Sequence, residues 1–303
     1  MIAQRTLEHA IRCSGIGLHS GKKVDLVLKP APVDSGITLF NTAVAPDVAI
    51  PAHADYVVDT RLCTTLGLGD VRIGTVEHLL SALVGMGVDN ADVEVGGSEV
   101  PVMDGSAAPF VFLIQCAGIK EQSKSRQVMK ILKKITVKDG DKICSISPAN
   151  TFKVSYALDY NHPLLRQRKV CIDFSTQAYS REISRARTFG FMHEIEALQK
   201  AGLALGGSLE NAVVLDATRV MNENGLRYRD ECARHKILDT VGDLFLSGYP
   251  MLGAFEGEKT GHAMNYALVK AVLEDPEAWH LESMNHVLST NSDTDYDQVF
   301  AAT

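Results

Sequence analysis

The chain has 303 residues, 46% hydrophobic and 22% charged, the balance of a soluble globular protein with one large or two medium domains. Acidic side chains outnumber basic ones by 37 to 30, for a formal charge of −7. That excludes nucleic-acid binding through a generally basic surface, and an anionic ligand must meet locally placed Lys or Arg. Six cysteines (Cys13, Cys63, Cys116, Cys144, Cys171 and Cys232) form no CxxC pair, and residues 1–5 lead into folded-looking sequence without a secretory apolar region. Free thiols in a reducing cytoplasm are therefore expected. The longest apolar run, residues 107–117, contains Gln115 and falls short of the roughly 20 residues that span a bilayer, so no transmembrane segment is expected.

Val24, Leu26 and Leu28 alternate with Asp25, Val27 and Lys29, which predicts a strand that Pro30 and Pro32 end. Residues 36–66 read as further short strands and loops. Residues 75–83 predict a helix with Thr75 as N-cap and with Gly85 and Gly87 at its end. Residues 90–95 alternate like a strand, and residues 106–116 read as a helix after the Met103-Asp104-Gly105 turn. Residues 121–126 are polar and without apolar period, which marks a boundary between a first domain of residues 1–122 and a second of 127–303.

The second half again opens with strands, over 128–137, 142–147, 152–158 and 169–174, with a turn at Asp139-Gly140. Helices are predicted near 181–187 and over 191–200, 230–246 and 261–273, with a short strand at 211–215. Asp275-Pro276 breaks the last firm helix. Both halves thus run strands first and helices later, an α+β pattern.

On the 230–246 helix His235, Asp239 and Asp243 are spaced i, i+4, i+8 and stack along one face. Ile237, Leu238, Val241, Leu244, Phe245 and Leu246 cover much of the rest, so the helix reads as buried with one polar stripe. A buried imidazole beside two carboxylates costs several kcal/mol unless something satisfies it. A divalent metal does so, and neutral imidazole with carboxylate oxygen suits zinc. The other reading of His235 and Asp239 alone is an ordinary helix whose stripe faces water. A catalytic ion takes three protein ligands and one open position, and His78 can supply the third across the domain interface. Glu77 lies roughly 100° further round that helix, so it cannot share the vertex but can act as general base on a water there. His262 stands at a loop-to-helix junction in Lys259-Thr260-Gly261-His262. The remaining histidines read as structural, with His19 the one left open, and Cys63 has no helper His or second Cys nearby.

The stretches TVEHLLSAL, VPVMDGSAAPFV, SRARTFGFM, HKILDTVGDLFL and KTGHAMN occur in this order, after the opening RTLEHAIRCSGIGLHSG. Together they resemble the UDP-3-O-acyl-N-acetylglucosamine deacetylases of lipid A biosynthesis over residues 2–275. The resemblance implies a cytoplasmic, monomeric, zinc-dependent amide hydrolase of a Gram-negative bacterium, which removes acetate from a UDP-linked acyl-aminosugar. It implies two similar α+β domains, each a small mixed sheet with helices, packed as a β-α-α-β sandwich with the site between them. His78, His235 and Asp239 fall on the zinc ligands, and the nitrogen and oxygen donor set also accepts ferrous iron. Glu77 falls on the general base, His262 on the catalytic histidine, Asp243 on its carboxylate partner and Thr188 on the hydroxyl that donates to the substrate oxygen. Lys236 falls near the phosphates and reacting sugar, and Lys259 is a further diphosphate contact. Tyr160 stands where Phe is expected to stack on uracil, a departure that keeps the aromatic face. Residues 191–221 match a β-α-β insert whose lining receives the acyl chain, with Ile195, Ala204, Ala212 and Val214 as lining positions, and Leu18 and Phe189 are further substrate-binding positions. Asn265-Tyr266 departs from the expected Asn-Asn. On the residues alone, two rivals stand: a zinc amidase for another acyl-sugar, or a nucleotide-sugar-binding module with a structural metal, in which Glu77 and His262 are dispensable.

Overall fold

The structure, a computed structural model, describes residues 2–166 and 168–290. Its first half is built on five strands in the spatial order Ile11–Ile16, Lys23–Pro30, Ala91–Val95, Ile37–Asn41, Ala45–Pro51. The third and fourth are parallel; the other pairs are antiparallel. The alternation of Lys23–Pro30 decides which face is covered: Val24, Leu26 and Leu28 are buried while Lys23 and Asp25 are exposed. Leu79, Leu80, Leu83, Phe110 and Ile114 from the helices Glu77–Gly85 and Ala108–Ala117 join these residues in one buried cluster.

In the second half the organising strand is Met251–Glu258. Phe152–Leu158 runs parallel to it, Lys142–Ser147 antiparallel, and Gln127–Ile131 pairs with its first residues. Ile135–Asp139, Arg168–Asp173 and Trp279–Ser283 extend the sheet outward. The helices Glu231–Leu244 and His262–Leu273 lie against it, with Ile237, Val241, Leu268 and Val269 sharing a core with Val154, Ile146 and Phe255.

The two halves meet helix to helix. Every residue of Glu77–Gly85 is buried, because the helix has its own sheet on one side and the Glu231–Leu244 helix on the other. Gly242 makes the approach possible: a Cβ there would lie 2.1 Å from the Glu77 carbonyl oxygen. The result is two sheets outside and two layers of helices inside, the β-α-α-β sandwich that the resemblance implies.

Beyond this core, Phe189–Phe191 and Val213–Leu215 form a parallel pair joined through the helix Met192–Lys200. That helix has no buried residue and stands away from the sheets. Among the described residues no helix is long and apolar enough to cross a membrane.

Several local expectations are corrected. Thr75 is not an N-cap: its φ is 55°, Val76 precedes the helix without a side-chain cap, and the Thr75 hydroxyl donates to Glu99 instead. Residues 121–125, within the stretch where the domain boundary is expected, belong to a strand, Ile119–Ser125, antiparallel to Ala3–Leu7. Backbone pairing holds it, so its side chains need no apolar period. The strand predicted over 128–137 is two, Gln127–Ile131 and Ile135–Asp139. The helical turn expected at 181–187 comes earlier, as Thr176–Ala178 running into a wide turn at Tyr179–Ile183. After Pro276 the chain continues with Trp279–Ser283 and Met284–Thr290, where Met284 and Val287 pack on Val128 and Leu252.

Candidate active site

Two helices deliver the first group. His78 sits in the first turn of Glu77–Gly85, and His235 and Asp239 lie one turn apart on Glu231–Leu244. All three are buried, and one ligand atom from each falls within 4.8 Å of the others. Asp239 Oδ1 is 3.2 Å from His235 Nε2 and 3.5 Å from His78 Nε2, with the two rings perpendicular. His235 Nδ1 lies 3.0 Å from the Ala186 carbonyl oxygen. A carbonyl only accepts, so Nδ1 carries the proton and the Nε2 lone pair faces Asp239. Burial, His78 and Lys236 outweigh Asp239 and bring His235 down to about 3, so the ring is neutral.

Asp239 itself is held by Lys236, whose Nζ donates to Oδ2 at 2.7 Å. Burial works to raise the Asp239 carboxyl, but its neighbours, with the Lys236 ammonium the full charge among them, hold it well below the usual range. Among the described residues Asp239 Oδ1 has no hydrogen-bond partner, although it is buried between two imidazoles. An orphaned carboxylate oxygen facing a neutral imidazole is costly without a cation. These three residues therefore fit a divalent ion, with an N, N, O donor set and room for an open position.

The second group adjoins the first. Glu77 is buried, its Oε2 accepts the Thr64 backbone N–H at 3.0 Å, and its Oε1 lies 3.8 Å from His262 Nε2. Burial raises the Glu77 carboxyl against the pull of His262 and His78. His262 opens the His262–Leu273 helix, and its Nδ1 donates to Asp243 Oδ2 at 2.8 Å. Burial would lower this imidazole, but the carboxylates of Asp243 and Glu77 prevail and raise it to about 9. Asp243 is fixed in turn by Asn265 Nδ2 at 2.9 Å and by the Thr64 hydroxyl at 2.7 Å.

The loop over 185–188 carries Ala186 and Thr188 and is tied down by a buried ion pair. Glu231 accepts Arg187 Nε at 2.8 Å and the Arg187 and Arg227 backbone N–H groups. Thr188, Phe189, Tyr160, Leu18 and Lys236 line one cavity with Glu77, His78, His235, Asp239 and His262. It meets a second, largely apolar cavity of about 310 Å³ at Leu18, Leu62, Thr188, Phe189 and Gly190. Ile195, Ala204, Ala212 and Val214 line this second space, together with Met192, Leu198 and Met221. Tyr160 packs against Phe189 and Phe191 at the mouth, with ring centroids at 6.0 and 5.6 Å. Lys259 lies outside the lining of both cavities and is paired with Asp141 at 2.9 Å.

Sequence reasoning assigns no role to Thr64, Asn265 or the Ala186 carbonyl. Asn265 had a signal, since it follows His262 at i+3 on one helix face. Thr64 had none: its partner Asp243 is 179 residues away. His19 lines the apolar cavity with both ring nitrogens buried and, among the described residues, without hydrogen-bond partners, and burial lowers its pKa. All six cysteines are free, and burial pushes the Cys63 thiol up to about 12, which leaves it protonated and unreactive at neutral pH.

Residues 4–274 match the family of UDP-3-O-acyl N-acetylglycosamine deacetylases. The chain belongs to this family. It is 54% identical over 283 residues to the UDP-3-O-acyl-N-acetylglucosamine deacetylase of Teredinibacter turnerae, an overlap covering 93% of each chain. It is 53% identical over 281 residues to the enzyme of that name from Acidithiobacillus ferrooxidans, covering 92% of each.

Proposed function

We propose that this chain hydrolyses the N-acetyl amide of a UDP-3-O-(3-hydroxyacyl)-N-acetylglucosamine to give acetate and the free amine, a step of lipid A biosynthesis. The observation that carries the reading is one buried cavity holding both the His78, His235, Asp239 donor set and the Glu77 and His262 pair, and meeting an apolar space. His78, His235 and Asp239 hold one divalent ion, zinc by the donor set, with ferrous iron accommodated equally. Such an ion supplies an acidified water and a polarised carbonyl.

The chain's own residues do the rest. Glu77, held at Oε2 by the Thr64 N–H, takes the proton of the attacking water at Oε1. His262 stays cationic through neutral pH and stabilises the charge that develops on the carbonyl oxygen, with the Thr188 hydroxyl as a second donor. The amine leaves with a proton from His262 Nε2 or from Glu77, whose carboxylates and imidazole face each other across 3.8 Å. Lys236 anchors Asp239 and provides positive charge near the phosphates, and Lys259 meets the diphosphate from the rim. Tyr160 stacks on the uracil, while Leu18, Phe189, Ile195, Ala204, Ala212 and Val214 receive the acyl chain. In this reading the site lies between domains of residues 1–122 and 127–303, and the enzyme works as a cytoplasmic monomer.

Metal content and acetate release of a Glu77→Ala protein test the proposal. Metal retained with acetate release lost supports it. Metal retained with acetate release unchanged makes the ion structural and Glu77 dispensable, and the proposal fails.

A further inference from the structure

Thr64 joins two groups that belong to opposite halves of the molecule. It is buried, just before the strand Thr65–Leu68 of the first half. Its N–H donates to Glu77 Oε2 at 3.0 Å, and its hydroxyl donates to Asp243 Oδ1 at 2.7 Å. Its carbonyl accepts the N–H of Val76, the residue that leads into the Glu77 helix. All three polar groups of one residue thus hold the acid–base machinery or its approach.

Among the described residues no other contact performs the task of this hydroxyl. His262 Nδ1 and Asn265 Nδ2 both use Asp243 Oδ2. Two donors on one oxygen leave the carboxylate free to rotate about that point. A third donor on Oδ1 fixes its plane, and with it the direction in which His262 points. His262 Nε2 is aimed at Glu77 Oε1 from 3.8 Å, so a swing of the ring changes the one distance that the pair depends on. General acid–base catalysis is sensitive to such misplacement.

We propose that Thr64 is a positioning residue for the reaction: its hydroxyl locks Asp243 behind His262 while its N–H locks Glu77, which sets the two groups in register across the interface. This rests on the roles given to Glu77 and His262 above.

The test compares Thr64→Val, which removes the hydroxyl at nearly constant shape, with Thr64→Ser, which keeps it, each with and without His262→Ala. Expected for Thr64→Val are a fall in kcat of about 10- to 100-fold, the range for a lost hydrogen bond to a charged group, with KM and metal content unchanged. Thr64→Ser should restore most of that rate. In the His262→Ala background Thr64→Val should have no further effect on the residual rate, because the residue through which it acts is gone. If valine does not fold, Thr64→Ala removes the same hydroxyl without a new methyl against Asp243. An equal loss in both backgrounds, or a serine variant as impaired as valine, overturns the proposal. A His262→Ala enzyme of normal kcat/KM overturns the reading beneath it and the proposal with it.

Discussion

Replacing Gly242 with alanine tests whether the close approach of the two central helices builds the proposed metal site. A Cβ at Gly242 would lie 2.1 Å from the Glu77 carbonyl oxygen, 2.9 Å from its carbonyl carbon and 3.1 Å from its Cα. To reach even a 3.0 Å contact the helices must separate locally by 0.9 Å, since the opposing atoms are backbone and cannot rotate aside. Alanine gains about 1 kcal/mol over glycine in a helix interior. Overpacking costs about 1–3 kcal/mol, and a backbone-to-backbone clash belongs at the upper end. The net loss is then about 2 kcal/mol, or a Tm lower by about 3 °C for a chain of this size. The separation falls between His78 on one helix and His235 and Asp239 on the other. Metal–ligand distances tolerate only about 0.2 Å, and a misplacement near 1 Å is enough for about 100-fold in rate. Metal retention against a chelator, thermal unfolding and kcat/KM for acetate release should all decline. An alanine variant with unchanged Tm, metal retention and kcat/KM would show that the helix spacing does not set the site.

Four further outcomes are expected. His235→Ala should lose both metal and activity, and full occupancy by elemental analysis would remove His235 from the ligand set. Ala212→Phe should fill the apolar cavity and depress kcat/KM for long acyl chains more than for short ones; equal loss across chain lengths would contradict that lining. His262→Ala should keep the metal and lose about 10²–10⁴-fold in rate; the wild-type basic limb should lie at or below about 9, because a nearby dication lowers the imidazole further, and a normal rate with an unchanged profile would refute the role. In the metal-free protein the folded His262 pKa of about 9 exceeds the unfolded value near 6.5, so its stabilisation is complete below about 6.5 and is lost as pH rises through about 9. The difference amounts to something on the order of 3 kcal/mol, and thermal scans showing the same alkaline loss in His262→Gln as in wild type would count against it.

What was legible in the chain is what repeats with the period of its own element. Val24, Leu26 and Leu28 announce their strand because one face of the sheet is buried. His235, Asp239 and Asp243 announce the site because four residues make about one helical turn. Thr75 illustrates the limit: its side chain suits an N-cap, but the buried Glu99 carboxylate competes for the hydroxyl, and the backbone there takes a left-handed turn. Residues 119–125 were opaque for a different reason. Their strand is held by pairing with Ala3–Leu7 at the far end of the first half, and such pairing leaves no imprint on side-chain pattern. The same holds for Thr64, whose two functional contacts are one backbone N–H and one hydroxyl to a distant helix.

The polar stripe on the central helix is not uniform, and its two carboxylates produce opposite imidazoles. His235 and His262 are both buried, and burial pushes both toward neutrality. The difference lies in what surrounds each ring. Asp239 pulls His235 toward the charged form, but burial, His78 and the Lys236 ammonium prevail and His235 stays neutral, the form in which an imidazole binds a metal. Among the described residues Asp243 receives, besides His262, only the uncharged donors Thr64 and Asn265, so its charge acts on His262, and Glu77 adds a second. Two carboxylates, Asp243 and Glu77, set against burial at His262, and one carboxylate, Asp239, set against burial, His78 and Lys236 at His235, thus leave one imidazole charged and the other neutral around the same polar stripe. Two titratable groups driven apart in this way are what an acid–base site requires.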